Sequence, residues 1–133
     1  MPAATSPIFP NVPIIGIASL VNATPVTSRA QITGTTGLVK LTDTSTNGAR
    51  IDAIEVVAQG NSTAGIQTIW IYNGTTSYMY DEISIPTATA NTTTLASANT
   101  ITYTTLTLPP TYQLYVSQQV TSNVTIYAFG GIY

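Results

Sequence analysis

The sequence predicts an all-β domain, an antiparallel β-sandwich of about seven or eight short strands, and three observations predict it. Apolar and polar residues alternate in short runs, with turn signals about every 8 to 12 residues and no helical period. Threonine, β-branched and suited to the exposed face of a pleated sheet, supplies 26 of the 133 residues. Two Asn-Gly steps, Asn47-Gly48 and Asn73-Gly74, are strong local turn signals because both residue types tolerate positive φ. These features do not choose between a jelly-roll and an immunoglobulin-like order of strands.

The elements follow in chain order. Residues 1–25 hold five of the eight prolines, at 2, 7, 10, 13 and 25, and no charged side chain. Proline at that density forbids a helix and removes sheet donors, which predicts an extended arm, with the sandwich occupying residues 26–133. Ile8, Phe9, Val12, Ile14, Ile15, Ile17 and Leu20 make the arm apolar, unlike a freely solvated tail. They are the candidate contacts by which it packs on its own domain or on a neighbour. The apolar run from Val12 to Val21 resembles a signal-peptide core, but no Lys or Arg precedes it and Pro13 interrupts it, so no secretion signal is expected.

Thr27 to Thr33 is a weak strand candidate, and Leu38 to Thr42 a short one. Arg50 to Gln59 would bury a charge on either face if it alternated strictly, which predicts a β-bulge near Asp52 to Ile54. Ile66 to Tyr72 looks covered on both faces, Ile66, Thr68, Trp70 and Tyr72 on one and Gln67, Ile69 and Ile71 on the other, and is expected to be a central strand. Ser77 to Ile85 should set Met79, Ile83 and Ile85 on one face. The run from Gly48 to Pro86 thus reads as a meander of three strands around which the fold is built. Thr87 to Asn99 is long enough to cross between two sheets. Ile101 to Leu108, Tyr112 to Gln118 and Val124 to Phe129 complete the set. The expected core is Ile54, Val56, Ile66, Ile69, Trp70, Ile71, Ile83, Leu114, Val116, Val124 and Ile126.

Charged residues form 6% of the chain, against about 25% in an ordinary domain. Hydroxyls and amides wet the surface instead, and a net charge of -2 does little to repel neighbouring copies, which favours a protein that sits in an assembly. Three basic residues, Arg29, Lys40 and Arg50, are too few for a nucleic-acid partner, and no apolar run approaches the roughly 18 residues of a membrane helix.

Without Cys there is no disulfide or thiolate site, and without His the commonest zinc ligand and general base are both missing. Asp81 and Glu82 are adjacent on a strand, so their side chains point to opposite faces and do not make a catalytic pair. A calcium site at Asp43 and Asn47 lacks the EF-hand spacing. No G-x-S-x-G or phosphate loop occurs. The expectation is a non-enzyme without cofactor or metal. Tyrosines together with Trp70 could form a sugar-stacking face, though core or interface roles are the simpler reading. Five N-x-[ST] sequons, at Asn22, Asn61, Asn73, Asn91 and Asn123, barely exceed chance in so Thr-rich a chain.

Four segments carry a resemblance: GARIDAIEVVA at 48–58, TAGIQTIWIYNGTTSY at 63–78, DEISIP at 81–86 and AFGGIY at 128–133. Together they resemble small virion proteins of tailed bacteriophages, over about residues 35 to 133. The resemblance implies a capsid decoration or cement protein: a β-sandwich on the outer surface of the head, a homotrimer, binding the major capsid protein and clamping the shell against packaged DNA. It implies no catalytic residues. A tail or fibre component, and a carbohydrate-binding adhesion module, are the rival expectations.

Overall fold

A computed structural model describes residues 12–133. The described chain is all β, with two antiparallel sheets packed as a sandwich and no helix among the described residues. Ten strands form among the described residues, more than the seven or eight expected, because the segment after residue 11 adds a strand and the one expected from Ile101 to Leu108 is interrupted after Thr102. They are β1 (Val12–Ser19), β2 (Ile32–Thr33), β3 (Val39–Lys40), β4 (Ala49–Ala58), β5 (Gly65–Tyr72), β6 (Thr76–Ile85), β7 (Ala98–Thr102), β8 (Thr107–Leu108), β9 (Gln113–Gln118) and β10 (Val124–Ile132). Sheet A has the order β1-β10-β4-β7, with β8 also on β4; sheet B has the order β2-β6-β5-β9-β3.

The three strands from Gly48 to Pro86 are not one meander. β4 lies in sheet A while β5 and β6 lie in sheet B, so the turn at 60–64 changes sheets and only β5 and β6 form a hairpin. Burial explains the choice. β4 has one inward face and packs across the sandwich, whereas β5 is covered on both faces and takes the middle of sheet B. Asn73 closes the hairpin through its Oδ1, which accepts from the backbone N–H groups of Thr75 and Thr76 at 3.0 and 2.8 Å. The 86–97 connection crosses from sheet B to sheet A and is tied to the body by a bridge between Ser62 and Ala88.

The expected bulge is present. Phe129 pairs with Ala53 and Gly130 with Ile51, leaving Asp52 as the extra residue of β4. The insertion changes the parity of the strand, so Ala49 and Ile51 share the inner face with Ile54, Val56 and Ala58 while Asp52 stays exposed. Glycine at 130 is obligatory here, because a Cβ would come 1.9 Å from the Arg50 carbonyl oxygen. A second bulge, at Tyr80 between the Ile69–Asp81 and Trp70–Met79 pairs, overturns one expectation: Met79 turns outward, away from the Ile83 and Ile85 face.

The boundary expected at residue 25 is corrected for the described part of the arm. Val12–Ser19 pairs antiparallel with β10 over its whole length, making the N-terminal segment the edge strand of sheet A. Proline does not prevent this. Leu20 donates its N–H to Val124, which fixes the alternation so that Gly16 and Ala18 bond to β10 while residue 13 faces the free edge, where no ladder bond is lost. Gly16 packs against the chain just after β3; a Cβ there would sit 2.3 Å from the Leu41 carbonyl oxygen.

The core lies between the sheets. Ala18, Leu20, Ile51, Ile54, Val56, Val124, Ile126 and Ala128 from one side meet Ile69, Ile83, Ile85, Leu114 and Val116 from the other. Each fully buried aliphatic side chain contributes roughly 1.5–3 kcal/mol relative to exposure. Of the expected core, Ile66 is only half-buried and Ile71 packs at the core's margin. Trp70 is fully buried yet lies on the other face of sheet B. It is covered because the chain after β1 crosses that face. Val26 N–H donates to Gln118 at 2.8 Å, Arg29 pairs with Glu82, and Ile32 reaches Ser77. The weak strand expected at Thr27 to Thr33 is therefore mostly a cover, with only Ile32–Thr33 in ladder.

Candidate functional site

The outer face of sheet A is the candidate site. Period-two alternation in β10 sends Val124, Ile126 and Ala128 inward and Thr125, Tyr127 and Phe129 outward. The same alternation in β1 sends Ile14, Gly16 and Ala18 inward and Ile15 and Ile17 outward. Register then sets Ile17 beside Tyr127 and Ile15 beside Phe129. Across β10, Tyr127 adjoins Glu55 and Phe129 adjoins Ala53. Tyr127 and Phe129 stack at 6.3 Å with an interplanar angle of 17°. Ile15, Ile17 and Phe129 are 62%, 60% and 37% exposed, so large apolar side chains meet on one side of the sheet. Toward β7 the face becomes polar, where Thr100 donates to Glu55 at 2.8 Å.

Of the expected arm contacts, the structure brings Ile15 and Ile17 together on this face, while Val12, although exposed, lies on the Ile14 side of the strand. Ile14 is half-buried against the core. Leu20 is fully buried and belongs to the core, which overturns its assignment as a partner contact; the strand's own alternation turns it inward. Ile8 and Phe9 lie outside the described residues. Tyr127 and Phe129 were missed as contacts, although the alternation from Val124 to Phe129 already separates them from the inward set.

A groove of about 290 Å³ runs beside the β1 edge, lined by Ile15, Ile17, Lys40, Thr42, Asp43 and Thr44 among others. Its charges are matched, Lys40 Nζ lying 2.6 Å from Asp43. That hydrogen bond, with the carboxylate's charge, raises the lysine above its ordinary pKa.

The remaining charges are also engaged. Arg50 meets Asp52 at 2.9 Å, Arg29 meets Glu82, and Asp81 accepts from the Tyr103 hydroxyl at 2.8 Å. Tyr103 is held well above the ordinary tyrosine range, first by burial and then by its bond to the Asp81 carboxylate. No group of three potential metal ligands occurs among the described residues. Trp70 offers no face to a sugar, being buried with Nε1 donating to Ser117 Oγ at 2.9 Å; Tyr78 and Tyr80 are the exposed aromatics of sheet B.

Compared with known proteins, the chain matches no family model, no curated protein and no solved structure.

Proposed function

We propose that this protein is a structural component of a virion, of the decoration or cement type, binding the outer surface of the major capsid protein lattice and stabilising the DNA-filled head. The observation that carries this reading is the apolar outer face of sheet A, where Ile15, Ile17 and Phe129 are exposed on a body with very few charges. The four resembling segments support it, since they fall on the strands and turns of the sandwich. The trimer that the resemblance implies would present three such faces at once, so modest contacts would add into tight, lattice-dependent attachment. The head protein is the partner in this reading, and neither nucleic acid nor membrane is contacted.

The test is reconstitution. Purified protein is added to heads that lack it, and bound protein is measured by co-sedimentation together with the temperature at which packaged DNA is released. Saturable binding in a fixed ratio to shell subunits, with a raised release temperature, is expected. Absence of binding to intact heads overturns the reading.

A further inference from the structure

The free edge of β1 carries a second recognition feature, independent of the virion reading. The backbone groups of Ile15, Ile17 and Ser19 point away from β10, and among the described residues none of them has a hydrogen-bond partner. Edge strands are ordinarily guarded by lysines, bulges or a covering loop. β1 has no charged residue of its own and no register shift against β10; Pro13 near one end and Lys40, held by Asp43 in the groove beside the edge, are its guards among the described residues.

We propose that this edge pairs with the same edge of a second copy of the chain, antiparallel about a two-fold axis through Gly16. The strand is self-complementary in that register. Ile15 opposes Ile17 of the second copy, and Ile17 opposes its Ile15, so each pair exchanges two N–H···O=C bonds. Ser19 N–H reaches the carbonyl of residue 13 at each end, where proline has no donor to lose. Every outward N–H of the edge is thereby used.

The side chains agree with the backbone. Ile15 and Ile17 of both copies meet on the outer face, joining the two Tyr127–Phe129 stacks into one apolar surface across both copies. On the inner face Gly16 meets Gly16, so no side chain presses on the close approach to Leu41. An unrelated extended strand could satisfy the same backbone groups, but nothing on the edge selects one, whereas the edge itself supplies a matched partner. The contact joins protomers in pairs whatever other surface sets a trimer. A ladder this short is a small contact, so association is expected to be weak and reversible.

The test uses the full chain. Sedimentation velocity over a concentration series should show reversible pairing, and Ile17→Pro, which removes one central donor from each copy and leaves the core untouched, should weaken it about tenfold. Because that variant could perturb the strand itself, a second one is oxidised: Ile15→Cys with Ile17→Cys should form a cross-link between position 15 of one copy and position 17 of the other, located by peptide mass spectrometry. No self-association, association unaffected by Ile17→Pro, a 15-to-15 cross-link as the dominant product, or pairing lost on removal of residues 1–11 would each overturn the proposal.

Discussion

Ser117 illustrates how much a single hydroxyl can carry in a chain so poor in charge. It accepts the indole N–H of Trp70 at a site where both residues are buried. Ser117→Ala would leave that donor without a partner, and a loss of about 1–3 kcal/mol is expected, read as a lower urea midpoint by Trp70 fluorescence. An unchanged midpoint would mean that Trp70 is held by packing alone. Tyr103 makes a second prediction at this scale. Its raised pKa means that the fold favours the neutral phenol, so its contribution is complete below the ordinary tyrosine value of 10.0 and is lost as pH rises above it toward the folded-state value. Wild-type stability should therefore fall more steeply above pH 10 than that of Tyr103→Phe, with thermal melts compared across the alkaline range.

The elements show which parts of the fold the sequence makes legible. Alternation located β4, β5, β6, β9 and β10 over most of their length but only the last two residues of β7, and the charge pattern of Arg50 to Glu55 announced the bulge at Asp52. Two features escaped for physical reasons. The prolines hid β1, because a proline whose nitrogen faces a free edge costs nothing, and a sequence does not show which edge is free. The partition of β4 and β5 between sheets escaped because a turn between strands reads the same whether it closes a hairpin or crosses the sandwich. The candidate site was half legible. Ile15 and Ile17 stood out as apolar, but Leu20 was assigned with them until the strand's alternation turned it inward, and Tyr127 and Phe129 gained meaning only from their register with β1. Two predictions belong here. Gly130→Ala should cost about 2–3 kcal/mol or more in chemical denaturation, since the bulge must move to admit a methyl group against Arg50. Leu20→Ala should cost about 2–5 kcal/mol, as expected for a core leucine and not for a residue of a detachable arm. An effect below about 0.5 kcal/mol would return this segment to the status of an arm.

At the scale of the whole molecule, the proposed assembly role draws on several features together. Each of the three basic side chains is paired with a carboxylate, the surface is wetted by threonine and amide groups, and the apolar outer face of sheet A ends at the β1 edge strand. Such a surface resists close packing through charge very little, and its stability in an assembly should depend only weakly on salt. The measurement that bears most directly on the virion reading is the copy number of this protein in purified particles, by quantitative mass spectrometry against the major shell protein. Hundreds of copies in a fixed ratio to the shell subunit are expected. A handful per particle would place it in the tail or a fibre, and absence from the particle would contradict a virion role altogether.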